Sequence, residues 1–128
     1  MPLTISRDRL EALVNAASRT RIVVVGDAML DEYLVGDVER ISPEAPVPVV
    51  HVRERRYALG GAANVAHNVA ALGGRVEIAG LVGSDEPATR LLADLARIGI
   101  DTASIVTDPS RSQIRTTRRS ASRRPSGW

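Results

Sequence analysis

The chain has 128 residues, 44% of them hydrophobic and none of them cysteine, which fits one globular unit with a real core and excludes disulfides, thiolate metal sites and cysteine nucleophiles. No apolar run approaches the ~20 residues of a membrane span, and Arg7, Asp8, Arg9 and Glu11 interrupt the start where a signal peptide needs an apolar stretch, so a cytoplasmic, membrane-free protein is expected. The formal net charge of +2 is uneven: of 17 basic residues, all arginine, six follow Pro109 where no acid stands, and the 11 before it face 15 acids, so the body is mildly acidic.

In chain order, Ser6 is placed to cap a helix whose apolar positions Leu10, Leu13, Val14 and Ala17 repeat at helical spacing. Arg21 to Val25 is a β-branched run closed by Gly26, the pattern of a strand buried on both faces. Pro43, Pro46 and Pro48 forbid a helix in the next stretch, while Val47, Val49, Val50 and Val52 favour extended chain. Residues 33 to 60 therefore read as a strand-rich excursion outside the central sheet.

A helix over 62–72 stops at Gly73-Gly74, and a second core strand runs from Val76 to Val82. Asp85 caps a helix carrying Leu91, Leu92, Leu95 and Ile98, with Pro87 in its first turn and Gly99 after its end. Its Glu86/Arg90 and Asp94/Arg97 pairs belong to a solvated face. Residues 103–106 form a weak third strand. Alternation at this spacing predicts an α/β fold with a largely parallel sheet.

After Pro109 the character changes. Residues 110–128 hold six Arg and five Ser, with Ile114 and Trp128 the only large apolar side chains, and no periodic face can be drawn. Disorder is expected there. The composition is also what out-of-frame translation of a GC-rich gene would produce.

Three clusters are candidates for chemistry. Asp27 and Asp31 follow the first core strand, where open α/β sheets bind ligands, and carboxylates there accept hydrogen bonds from sugar hydroxyls. Alone, Asp27 is as well explained as a turn-capping residue. Gly60 and Gly61 open a helix that also carries Asn64, an arrangement suited to close approach by a polyhydroxylated or anionic ligand. Neither a Walker loop nor a dinucleotide fingerprint is present. His51 and His67 lack metal-ligand spacing, and no metal site is expected. The Arg-rich tail has no aromatic interleaving, so no specific nucleic-acid partner is expected.

Together these segments resemble the PfkB carbohydrate kinases, the family of ribokinase, fructokinase and adenosine kinase. The family's first pattern is matched by Gly60, Gly61, Ala62, Asn64, Ala66, Gly73 and Gly83. A narrower resemblance, to heptose-7-phosphate kinase domains, rests on the run from Val24 through Asp27 and Asp31 to Tyr33 and on the run from Gly36 through Arg40, Pro43 and Pro46 to Val50. The resemblance covers roughly residues 5 to 109. It implies a ribokinase-like fold with a β-lid at about 33–58 that can pair in a homodimer. It also implies a sugar-phosphate substrate held by Asp31, Gly60, Gly61 and Asn64, to which the strand-end position adds Asp27, and ATP with Mg2+ as co-reactants. The family's second signature, an Asp-Thr-x-Gly-Ala-Gly-Asp stretch carrying the catalytic base, is not among the 128 residues, and the ATP site goes with it. The expectation is therefore the amino-terminal, non-catalytic part of such a kinase. The alternatives are a part of a PfkB kinase for another sugar, or a sugar-binding or dimerising fragment.

Overall fold

The structure, a computed structural model, describes residues 4–44 and 48–123. Ala45, Pro46 and Val47, three residues of the expected excursion, and the last five residues of the tail lie outside the described residues. Ser6 Oγ accepts the Arg9 N–H at 3.3 Å and starts α1 (Arg7–Ala17). There follow β1 (Arg21–Val25), β2 (Ala28–Ile41), β3 (Pro48–Gly60), α2 (Gly61–Ala71), β4 (Arg75–Val82), α3 (Glu86–Arg97), β5 (Asp101–Thr107) and β6 (Arg115–Arg123). Asp85 caps α3 as its sequence position implies, its Oδ1 accepting the Ala88 N–H at 3.2 Å.

Two three-stranded sheets result. In one, β1, β4 and β5 lie parallel in the order β1-β4-β5, joined by the right-sized crossovers α2 and α3. The core is the layer between that sheet and the two helices: Val76, Ile78 and Val82 from β4, Ala63 and Ala66 from α2, Ala88, Leu91 and Leu95 from α3, and Ile100. Ile78, Leu91 and Leu95 are fully enclosed, each burial stabilising by ~1.5–3 kcal/mol. The second sheet has the order β3-β2-β6, with β2 antiparallel to β3 and parallel to β6. The proline- and valine-rich excursion thus stands outside the parallel sheet, as an antiparallel pair that begins at Ala28 and ends at Gly60.

Two expectations need correction. The β1 run is covered on one face only: Val23 is 52% and Val25 78% exposed, beside Leu81 and Val106 on the same open side. Leu10, Leu13 and Val14 of α1 are likewise exposed, so that helix packs its apolar stripe on nothing in the described chain.

The second correction is larger. The stretch after Pro109, expected to be disordered, supplies the third strand of the second sheet. Residues Arg115 to Arg123 pair with Leu30 to Val38. A backbone ladder needs no apolar side chains, so a run of Arg, Ser and Thr can complete a sheet edge that composition alone would not assign.

The strand is anchored by Gln113, which is 6% exposed. Its Nε2 donates to the Ala28 carbonyl at 2.6 Å and to that of Ile114 at 3.3 Å, and its Oε1 accepts the Gly83 N–H at 3.3 Å. Its own backbone N–H donates to Asp85 Oδ2 at 3.1 Å. Replacing Gln113 by Ala leaves buried donors and acceptors unpaired, which costs ~1–3 kcal/mol. In urea denaturation we expect Gln113→Ala to lose that much, and deletion of residues 110–128 to lose at least as much; unchanged midpoints would refute the anchoring role.

On the open face of the parallel sheet, Glu77 of the middle strand accepts from Ser104 Oγ at 2.5 Å and from Arg21 Nη2 at 2.9 Å, joining all three strands. The Ser104 hydroxyl first, and the Arg21 guanidinium second, hold its carboxyl below the ordinary 4.5. A depressed folded-state pKa gives stability that is complete above the unfolded value and is lost as pH falls through the folded one. Wild-type stability should therefore decline more steeply than that of Glu77→Gln as pH drops below about 4.5, measured by thermal melts across an acid series.

Candidate functional site

Gly26 and Asp27 carry the chain from β1 across to β2. The Gly26 N–H donates to the Ala79 carbonyl at 3.2 Å, which fixes the turn beside the middle of β4. The Asp27 carbonyl accepts the Ala62 N–H at 2.9 Å and so takes one free donor of the first turn of α2, while its side chain stays exposed. No side chain caps this helix, whose N-cap is Gly60. Gly61 sits at φ 54°, and a Cβ there would collide with the Asp27 carbonyl oxygen.

Asp31 lies inside β2, across from Ala58 of β3 and Thr116 of β6. Its carboxyl group rests against the Cα of Gly60: a Cβ on Gly60 would lie 2.8 Å from Oδ1 and 2.9 Å from Cγ. The second sheet thus sets a carboxylate at the uncapped start of α2, and the two glycines are the reason it fits. Asp27, Asp31, Gly60 and Gly61 meet in this corner. Asn64 is exposed one turn along α2 and borders a groove of about 660 Å³ between β3 and the two helices, with Tyr57, Leu59, His67, Asn68 and Arg97.

The residue after Asp31 has the opposite environment. Glu32 is 3% exposed, and sequence reasoning passed over it. Its carboxylate accepts from Thr117 Oγ1 at 3.3 Å and from Tyr57 Oη and Arg55 Nη1 at 3.4 Å, with Arg115 Nε at 3.6 Å. A buried carboxylate is tolerated only when its charge and lone pairs are met, and here all three strands of the second sheet contribute. Arg90 of α3 stacks over the Tyr57 ring at 4.3 Å, linking the cluster to the helical layer. Strand alternation alone would have put Glu32 on the face away from Asp31; only the β6 partners reveal that this face is covered.

Asp27 and Asp31 are suited to accept hydrogen bonds from hydroxyl groups, beside a helix start that favours partial negative charge. Among the described residues, no three or more His, Asp or Glu side chains converge in a way that would hold a metal.

A profile of the pfkB family carbohydrate kinases matches residues 19–121, past the composition break at Pro109 and through most of β6. The chain is 51% identical over 112 residues to the bifunctional protein HldE of Geobacter sulfurreducens, covering 88% of this chain and 23% of that protein. It is 58% identical over 85 residues to the D-beta-D-heptose 7-phosphate kinase of Bordetella bronchiseptica, covering 66% of this chain and 27% of that protein. The chain thus spans about a quarter of the curated relatives it matches. Among solved structures it superposes on the ribokinase of Cryptococcus neoformans in complex with ADP, with a TM-score of 0.58 and 28% identity over 80% of this chain and 31% of that one. The fructokinase of Xylella fastidiosa with bound ATP gives 0.57 and 28%, over 76% and 26%.

The corner geometry makes a direct prediction. Gly61→Ala combines a left-handed backbone with a main-chain collision and should lower stability by more than ~1 kcal/mol. Gly60→Ala meets only a side chain, so it should leave the fold nearly as stable while pushing the Asp31 carboxyl aside. Urea melts and the Asp31 side-chain NMR signals test both; equal destabilisation by the two variants would refute the difference.

Proposed function

The chain belongs to the pfkB family of carbohydrate kinases, and from that membership we propose that it forms the sugar-binding side of a heptose 7-phosphate kinase. The reaction is transfer of a phosphoryl group from ATP to the anomeric hydroxyl of D-glycero-D-manno-heptose 7-phosphate, a step toward ADP-heptose and the lipopolysaccharide core. The observation that carries the reading is the Asp31 carboxylate seated against Gly60 at the uncapped start of α2. Identity to the Bordetella kinase supports the choice of sugar.

In this reading Asp31 accepts hydrogen bonds from ring hydroxyls, and Asp27 accepts from a hydroxyl at the mouth of the turn. Gly60 and Gly61 let the sugar approach the backbone. Asn64, one turn along, donates its amide to the far side of the sugar once the site closes. The sheet of β2, β3 and β6 acts as the lid, excluding water and orienting the acceptor hydroxyl, which is most of what phosphoryl transfer asks of a protein. The lid also offers a dimer surface: β3 is one of its two edge strands, with Val49 and Val52 each 37% exposed.

The residues described here do not fit ATP or Mg2+. They include no phosphate-binding loop and no converging metal ligands. Both co-reactants are assigned to parts of the kinase outside the 128 residues, together with the catalytic base, which alone contributes ~10²–10⁴ in rate. The chain by itself is accordingly a binder without turnover.

Heteronuclear NMR titration of the 128-residue chain with heptose 7-phosphate tests this. We expect weak saturable binding with shifts at Asp31, Gly60 and Gly61, and at least a tenfold loss in Asp31→Ala with an unchanged circular dichroism spectrum. Binding indifferent to that substitution would overturn the site. ADP release dependent on the sugar, above an enzyme-free control, would overturn the division of labour.

A further inference from the structure

Resting on the sugar-phosphate reading of the Asp31 corner, we propose that Arg118 is the residue that receives the phosphate end of the substrate. Directly paired residues of neighbouring strands project to the same side of a sheet. Asp31 pairs with Thr116, Glu32 with Thr117 and Tyr33 with Arg118. The hydrogen bond from Thr117 to Glu32 verifies the parity on the covered side. Arg118 therefore shares the ligand side with Asp31 and Thr116, one strand over and one pleat repeat along, about 7 Å.

The other arginines near this corner are accounted for. Arg55 and Arg115 serve Glu32 on the covered side. Arg56, which flanks Tyr33 from β3, is held in a fork by Glu54 at 2.7 and 2.9 Å. Arg119 projects to the covered side and borders a hollow with Leu34, Val50 and Val52. Arg118 is exposed, and among the described residues its side chain makes no hydrogen bond or ion pair.

The side facing the ligand thus presents a hydroxyl-accepting carboxylate, a threonine hydroxyl and an uncommitted guanidinium in a row. A sugar phosphate has the complementary polarity: hydroxyl donors at one end, a dianion at the other. Guanidinium meets phosphate with two parallel N–H···O bonds, and a site with one such fork separates a phosphorylated sugar from its free form. Exposed to solvent, the fork contributes most once the sheet closes over the sugar and water leaves.

The test uses three probes on the full chain: heptose 7-phosphate, the unphosphorylated heptose and inorganic phosphate. Affinities are read by NMR titration for the wild type, Arg118→Gln and Arg119→Gln. We expect Arg118→Gln to weaken heptose 7-phosphate at least tenfold and to leave the free heptose within twofold. Arg119→Gln should change neither by more than twofold. Equal affinity of wild type and Arg118→Gln for heptose 7-phosphate overturns the proposal, as does an equal loss for both sugars, which marks a structural role. If the wild type binds neither sugar, the kinase-site reading fails separately, and inorganic phosphate decides for Arg118. Phosphate shifts centred on Arg118 and lost in Arg118→Gln then uphold an anion subsite, and their absence rejects it.

Discussion

One buried amide determines how the two sheets of this chain meet. Gln113 takes the carbonyl that opens β2, the N–H that closes β4 and, through its own backbone, the carboxylate that caps α3. Without those bonds, three chain ends converging at low exposure would carry unmet donors and acceptors, each costing more than a net hydrogen bond gains. With them, β6 is delivered to the free edge of β2 at a defined register. The surroundings of Asp31 follow from that register: which residue stands beside it, which carboxylate is covered, and which arginine is left free.

The parallel sheet and its helices were legible because each element carries a local signature. Ser6 and Asp85 cap, Gly73 and Gly99 stop, and Leu91 and Leu95 repeat at helical spacing; the structure uses each of them as local chemistry implies. The proline and valine content of the excursion was equally legible as extended chain outside that sheet. What local pattern could not give is what covers a face. A β-branched run such as Ile22 to Val25 reads the same whether one side or both are packed, and here Val23 and Val25 are open. The apolar stripe of α1 has the same ambiguity: periodicity declares a face and leaves its partner unnamed.

The tail shows the opposite failure. Composition argued against order in a stretch of Arg, Ser and Thr, because such residues bury too little apolar surface to offset chain entropy by themselves. That argument holds for an isolated segment and fails for an edge strand, whose hydrogen-bonding partners already exist on β2 and whose side chains can stay in water. Glu32 was missed for a connected reason. Two of its four polar partners, Thr117 and Arg115, come from β6, so a reading that dismisses β6 loses half of its setting. In the candidate corner, Asp31 and Gly60–Gly61 stand out in the sequence because each carries a chemical type at a structural boundary, whereas the contact of Asp31 with Gly60 depends on the tertiary pairing of β2 with β3.

Adjacent carboxylates with opposite surroundings explain how a three-stranded sheet can carry an uncommitted carboxylate, the proposed sugar contact Asp31, without losing its shape. Asp31 is useful only if it stays unpaired, which offers the sheet no stabilisation at that position. Glu32, one residue on and therefore on the other side, draws charged and hydroxyl partners from β3 and β6 into one cluster, and Arg90 over Tyr57 ties that cluster to α3. Cross-strand ion pairs at an exposed rim are weak singly, yet a carboxylate buried at their centre makes them interdependent, since losing one partner strands its charge. The covered side thus supplies the rigidity that the Asp31 side cannot supply for itself, and the pleat, which separates neighbours by face, is what keeps the proposed binding role and the structural one from competing.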